Sequence, residues 1–134
     1  MNLYKQIFEK LYSAFGRQRW WPVTVKGHSP SYCGGPRSEK HRLEIIFGAI
    51  LTQNTAWKNA EKAISQLNKN KLIDVDKIIR IKQSRFAKLI RSAGYYNQKS
   101  ERLKIISEHI KNRYGGSIKK LFSKPAEPLR QELL

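Results

Sequence analysis

The stretch that decides the fold lies at residues 45–60, where IIFGAI (45–50) runs directly into LTQNTAWKNA (51–60). The apolar run ends in a polar cluster at residues 52–55, and Trp57 then begins the next predicted helix. Periodicity alone also permits a β-strand over residues 43–50. Because no second strand is predicted nearby, we interpret residues 41–52 as a buried helix.

Outward from this stretch, further helices are predicted from the 3.6-residue spacing of apolar side chains and from capping residues, glycines and prolines. They span 2–15, Thr55 (N-cap) to about Asn68, Asp74 or Asp76 through Ile81, Ser84 to Gly94, 97–113, about 117–122, and a last helix starting near Pro125. Residues 23–40 are predicted to be an irregular insertion. The expected fold is an all-α helical bundle forming one domain over residues 1–134.

Charge is the dominant compositional feature, since 27 lysines and arginines against 10 acidic residues give a net charge of +17. A charge this large repels itself and indicates a polyanionic partner, above all nucleic acid. Binding to ribosomes or to a membrane surface is the alternative. Hydrophobic residues make up 40% of the chain, which argues against global disorder.

Cysteine usage and hydropathy exclude several classes of protein. Cys33 is the only cysteine, so these residues form no internal disulfide and no cysteine-based metal cluster. We predict no metal and no cofactor. The first residues lack the apolar run of a signal peptide, and no run approaches the roughly 20 apolar residues that cross a bilayer. We expect a cytoplasmic protein, associated with the nucleoid if it is bacterial, and no membrane partner.

Three segments carry a family resemblance: Trp20-Trp21-Pro22, the 51–60 stretch, and Ala93-Gly94-Tyr95-Tyr96-Asn97-Gln98-Lys99. Together they resemble the helix-hairpin-helix (HhH-GPD) DNA glycosylases of the endonuclease III superfamily, and most closely the branch that removes 3-methyladenine. The resemblance implies the six-helix-barrel half of that fold. The insertion after Pro22 departs from the family pattern.

The resemblance implies a pocket for a damaged base. Trp21 and Pro22 would stack on one side of a flipped base, and Trp57 would line the other. Glycosylases must flip the base out of the duplex and hold it between flat surfaces. An alkylated purine carries positive charge, which an indole face attracts by cation–π stacking. The alternative is that these tryptophans, together with Trp20, fill a hydrophobic core.

The resemblance also assigns residues that contact the rest of the DNA. Asn54, with Gln53 beside it, would enter the minor groove and fill the hole left by the flipped base. The alternative is that Gln53 and Asn54 cap the following helix. Tyr96, Lys99 and Lys58 are assigned to DNA backbone contact or pocket support, with Lys99 facing a phosphate.

Glu44 is the one carboxylate beside the suspected pocket. We expect it to interact with the start of its own helix rather than to act as a catalyst. In the family, the catalytic lysine or aspartate follows a glycine-containing hairpin that grips phosphates. No such hairpin occurs in the sequence, so no residue is assigned as catalytic.

The resulting expectation is the N-terminal part of a base-excision glycosylase, truncated before the hairpin and inactive alone. Its partners would be duplex DNA with a damaged, alkylated purine and the missing C-terminal half. The alternative is a non-catalytic, basic nucleic-acid-binding helical module, and a third possibility is an unrelated basic helical protein that binds RNA. Leu133 and Leu134 are predicted to leave an apolar face exposed, with self-association through that end.

Overall fold

Helices form the regular structure of the chain in the computed structural model, which describes residues 2–134. The α-helices in this range are α1 (Leu3–Phe15), α2 (Glu39–Leu51), α3 (Trp57–Lys69), α4 (Val75–Arg80), α5 (Gln83–Leu89), α6 (Tyr96–Tyr114), α7 (Ile118–Phe122) and α8 (Ala126–Leu133). A short 3-10 helix (Arg91–Ala93) lies between α5 and α6. Residues 2–134 contain no strand, so the predicted all-α fold is confirmed, including the helix over residues 43–50.

The hydrophobic core is formed by buried residues of α2 through α7. The α3 stripe Ala60, Ala63, Ile64 and Leu67 is buried, as its i, i+3, i+4, i+7 spacing predicts. The core also contains the large side chains of the neighbouring helices, among them Phe47, Leu51, Phe86, Leu103 and Ile110. This packing holds the C-terminal end of α2 and the N-terminal end of α6 in fixed positions.

Two predicted helix starts are wrong. Ala56, not Thr55, is the N-cap of α3 and makes no side-chain cap. Thr55 instead accepts a hydrogen bond at Oγ1 from Asn59 Nδ2, at 3.2 Å. Lys82, not Ser84, precedes the first residue of α5. In both cases a polar residue able to cap lies close to the start, but packing places the first helical turn one or two residues away.

Other helix starts are clearer. Of the two predicted caps for α4, Asp74 is the one used, and its carboxylate accepts from Lys77 N at 2.9 Å. Helix α2 begins at Glu39, slightly before the predicted position, because Ser38 Oγ accepts from His41 N at 3.1 Å. The irregular part of the predicted insertion therefore ends at Ser38.

Glu132 holds α8 against α6. Its Oε1 accepts from the Tyr114 hydroxyl at 2.6 Å and lies 2.7 Å from His109 Nε2 and 3.4 Å from Arg113 Nε. Lys124 pairs with the other carboxylate oxygen. The hydrogen bonds, first that of Lys124, lower the pKa of Glu132 from 4.5 to about 2. The α8 helix is thus fixed by a carboxylate that stays ionised.

Helix α1 is amphipathic, as predicted, but its apolar face is uncovered in the part of the chain that the structure describes. It has no buried residue. Its large apolar side chains are exposed, including Tyr4 and Phe8, which are 79% and 63% exposed. Leu133 and Leu134 are also exposed, as expected.

Candidate nucleic-acid interface

Lys99 links two surface turns from inside the protein. It lies in the first turns of α6, and its side chain is almost fully buried, with 2% exposed. The ammonium donates to Leu51 O at 2.8 Å and to Ala93 O at 2.7 Å. Leu51 is the last residue of α2 and Ala93 is the last residue of the 3-10 helix. The ammonium of Lys99 therefore links the turn at residues 52–55 to the turn at residues 94–96.

The burial of Lys99 corrects one expectation. Its ammonium points at two backbone carbonyls and is not available to a DNA phosphate. Loss of hydration on burial lowers the pKa of Lys99, and the Arg102 cation lowers it further. Lys99 therefore supports the two turns and does not contact the DNA backbone.

The turn after α2 presents Asn54 to solvent. Asn54 has φ +54°, in the left-handed region that asparagine tolerates better than most residues. Both Gln53 and Asn54 are exposed. Gln53 Oε1 accepts from Arg102 Nη1 of α6 at 3.2 Å. Neither side chain caps α3, so the capping alternative is wrong for both residues.

The second turn comes just before α6. Tyr95 has φ +44° and is 64% exposed, whereas Tyr96 is half-buried against the core. The guanidinium of Arg91 lies 5.9 Å from the centre of the Tyr96 ring. The packing of Tyr96 agrees with a supporting position. Since Lys99 and Arg102 link α6 to residues 51–53, the two turns lie at the same end of the bundle.

Trp20, Trp21 and Trp57 form one aromatic cluster beside the first of these turns. The rings of Trp21 and Trp57 meet edge to face, with centroids 6.2 Å apart and planes at 80°. The ring of Trp20 also contacts that of Trp57, with centroids 6.0 Å apart, and Tyr32 packs on Trp20. Trp20 is 51% exposed, and Trp21 and Trp57 are half-buried. The cluster therefore borders solvent, while Trp57 also packs against the hydrophobic core.

A glycine within α2 makes room for this cluster. A Cβ at Gly48 would lie 3.3 Å from Ile64 Cδ1 and 3.8 Å from Trp21 Cζ3. A methyl group there would need the end of the Ile64 side chain to shift slightly and would lie in ordinary contact with the indole of Trp21. No role for Gly48 was predicted from the sequence. A glycine inside a helix lowers helix stability by about 1 kcal/mol relative to alanine, so its presence there is itself a signal of close packing.

Glu44 positions the chain that carries Trp21 and Pro22. It is 1% exposed, and its Oε1 accepts from Thr24 N at 2.9 Å and from Thr24 Oγ1 at 3.0 Å. Asn68 Nδ2 of α3 donates to its Oε2 at 3.2 Å. The expected interaction with the start of its own helix is therefore wrong, because its partners lie on the insertion and on α3.

The inserted segment is thereby attached to the bundle. Val23 N donates to Ser31 O at 3.1 Å, and Ser31 N donates to Val23 O at 3.0 Å. Val23 and the preceding Pro22 are buried. Thr24 and Asn68 were missed by sequence analysis, since neither belongs to a recognisable motif.

Lys58 lies at the start of α3 with its side chain exposed. It lines a groove between α3 and α5, next to the turn that carries Asn54. Among residues 2–134, no three histidine, cysteine or acidic side chains are grouped as metal ligands. No described helix has the length and apolarity to cross a membrane.

The chain is similar to known DNA repair proteins. Residues 47–130 match the family described as HhH-GPD superfamily base excision DNA repair protein. The chain is 37% identical over 115 residues to a Methanocaldococcus jannaschii protein named "Putative DNA repair glycosylase MJ1434", covering 86% of this chain and 44% of that protein.

A solved structure is similar over nearly the whole chain. The crystal structure of H. pylori 3-methyladenine DNA glycosylase (MagIII) bound to 1,N6-ethenoadenine has 27% sequence identity and a TM-score of 0.65, covering 91% of this chain and 54% of that one. The chain thus spans about half the length of both proteins. The matched range includes both turns, Trp57 and the helices that hold them. The chain belongs to the HhH-GPD superfamily of base excision DNA repair proteins.

Proposed function

We propose that these residues form the base-recognition part of a DNA glycosylase that acts on alkylated purines in duplex DNA. The observation that carries the proposal is the position of the half-buried Trp21–Trp57 pair beside the exposed Asn54 turn. Membership of the HhH-GPD superfamily and the likeness to a 3-methyladenine DNA glycosylase support it.

The tryptophans supply the stacking surface. Because the planes of Trp21 and Trp57 meet at 80°, a flat base that lies face to face on one indole would present its edge to the face of the other. A purine made cationic by alkylation gains a further attraction to the indole face. Buried Pro22 stiffens the segment that carries Trp21. The stacking surface is therefore suited to purines that alkylation has made cationic or has enlarged by a further flat ring.

Asn54 would fill the hole that the flipped base leaves in the duplex. Its short amide side chain stands on a tight turn, is exposed and does not cap the helix that follows, so it is free to enter the minor groove. Gln53, held by Arg102, and Lys99, held by two carbonyls, keep the turn in place when DNA is pressed against it.

We further propose that the 134 residues bind the lesion but do not cleave the N-glycosidic bond. Cleavage needs a group that attacks or stabilises the sugar. Glu44, which Thr24 joins to the chain just after the Trp-Pro segment, already accepts three hydrogen bonds within the fold. It is thus committed to structure and not to catalysis.

Equilibrium binding tests the pocket. Fluorescence anisotropy compares a duplex containing 1,N6-ethenoadenine with the same duplex containing adenine. We expect wild type to prefer the ethenoadenine duplex and Trp57→Ala to lose about tenfold of that preference, because stacking on an aromatic contributes about 1–3 kcal/mol per base. Trp57→Phe, which keeps a ring, should retain most of it.

Phe122→Ala is the matched control, since Phe122 is an exposed aromatic on α7 at the other end of α2. It should leave the preference unchanged. Equal binding of the two duplexes by wild type, or an unchanged preference in Trp57→Ala, would contradict the pocket. Release of free base from a duplex containing 3-methyladenine, measured by mass spectrometry, would contradict the proposal that the chain does not cleave.

A second candidate function is a non-catalytic, basic nucleic-acid-binding module, which the net charge of +17 favours. Tight, salt-dependent binding that does not distinguish damaged from undamaged duplex would support this candidate over the first.

A further inference from the structure

A basic surface lies in a groove between α3 and α5, and it begins at Lys58, directly after Trp57. Its cavity volume is ≈ 580 Å³. Four lysines line it, Lys58, Lys62 and Lys69 from α3 and Lys88 from α5, with Glu61 as its acidic residue. All four lysine side chains are exposed, whereas Glu61 is half-buried.

The α3 lysines follow one line along the helix. Lys58, Lys62 and Lys69 are spaced i, i+4 and i+11, on the side opposite the buried stripe that packs into the core. Eleven residues at a rise of about 1.5 Å each place the first and last some 16 Å apart. Lys88 faces them from the second wall, so the groove is a basic track and not a single point of charge.

These lysines have no counter-ion within residues 2–134. None of them forms an ion pair, whereas Lys111, Arg113, Lys124 and Arg130 do. Four ammonium groups and one carboxylate leave the groove strongly positive, with repulsion between its own charges. An anion bound along the track would relieve that repulsion.

The neutral lining residues indicate what kind of anion fits. Ser29, Ser65 and Ser92 contribute hydroxyl groups, and no aromatic side chain lines the groove. Lysines and hydroxyls bind phosphate oxygens, whereas bases require stacking surfaces or base-edge contacts. The groove is therefore suited to a phosphodiester backbone and not to a nucleotide base.

We propose that this α3–α5 groove binds the backbone of the DNA strand that flanks the lesion, which extends the contact beyond the Asn54 turn. Lys58 lies four residues after Asn54, so the groove begins next to the turn that carries Asn54. Its length of about 16 Å is enough for several consecutive phosphates of one strand. The inference rests on the proposed DNA-binding function and assigns it a second, sequence-independent site.

The inserted segment takes part in this site. Ser29 belongs to it, and its Oγ lies 3.4 Å from Ser65 Oγ on α3. Because the Glu44 network fixes Thr24 and the His28 carbonyl to Asn68, the segment forms one end wall of the groove. The insertion therefore contributes to DNA binding.

The salt dependence of binding to an undamaged duplex tests the proposal. The variant Lys62→Gln/Lys88→Gln removes one charge from each wall, and Lys119→Gln/Lys120→Gln removes two exposed charges from α7. Each lost phosphate contact reduces the slope of log K against log salt by about 0.9. We expect the groove variant to lose about 1.8 from the slope and the α7 variant to lose little.

The readouts separate this proposal from the proposed function. The groove variant should keep the wild-type ratio of affinities for ethenoadenine and adenine duplexes, because that ratio depends on Trp57. A slope unchanged in the groove variant, or reduced equally in both variants, would overturn the groove. Preferential binding of the same track to duplex RNA would also overturn it. A wild type with no lesion preference but with the expected slope change would sink the base pocket and leave the groove standing.

Discussion

Replacing Lys99 by methionine tests the central physical argument about the two turns. The change keeps an unbranched side chain of similar length but removes the ammonium. The carbonyls of Leu51 and Ala93, which accept from Lys99 Nζ at 2.8 and 2.7 Å, then lose their donor inside the protein.

The magnitude follows from those two contacts. Each buried acceptor left without a partner costs about 1–3 kcal/mol. Methionine offsets part of this, because folding no longer removes an ammonium from water, the effect that lowers the pKa of Lys99. We therefore expect the free energy of unfolding to fall by about 2–3 kcal/mol. At roughly 4 °C per kcal/mol for a chain of this size, Tm falls by about 8–12 °C.

Thermal and urea unfolding followed by circular dichroism measure this change, with an unchanged urea m value showing that the transition remains comparable. Lys120→Met, on the surface of α7, is the control and should stay within about 0.5 kcal/mol of wild type. Hydrogen exchange should speed up in residues 52–55 and 93–96. A Lys99→Met protein as stable as wild type would refute the view that this lysine holds the turns together.

Two further predictions follow from the ends of the chain. Glu132→Gln should flatten the acid limb of the plot of the free energy of unfolding against pH. The pKa of Glu132 is about 2 in the folded state and 4.5 ordinarily, so the unfolded state binds its proton first and the stability of the wild type falls between pH 4.5 and 2. Equal acid limbs for the two proteins in urea titrations would contradict this. Phe8→Ser/Leu11→Ser should abolish concentration-dependent self-association in sedimentation, because the exposed apolar face of α1 drives association. The control Lys10→Ser should leave self-association unchanged. A wild type that remains monomeric at all concentrations would contradict this prediction.

Sequence periodicity was sufficient for most helices, because helix formation depends on spacing and on residues close in the chain. The α3 stripe, a cap of α4 at Asp74 or Asp76 and the stop at Gly115 were predictable from a few neighbouring residues, and the structure selects Asp74. The caps at Thr55 and Ser84 were predicted wrongly. Polar residues able to cap lie near each of these starts, but α3 begins after Ala56 and α5 after Lys82, and neither helix has a side-chain cap.

The site was predictable to a lesser degree. Sequence motifs brought Trp21, Trp57 and Asn54 together, and the structure places the indoles in one cluster beside the turn. Their roles toward DNA stay predictions. The direction of Lys99 was not predictable, because an ammonium can face solvent or fold inward, and the nearby carbonyls that attract it come from residues up to 48 positions away.

The sequence by itself determined the all-α architecture, the basic character and the family, since these depend on composition, local spacing and motif order. Only the tertiary structure decided that Glu44 joins the insertion to α3, that Lys99 ties two turns, and that lysines of α3 and α5 form one groove. Each of these depends on residues far apart in the chain, which come together only when the buried faces of the helices pack and leave their polar groups beside new partners.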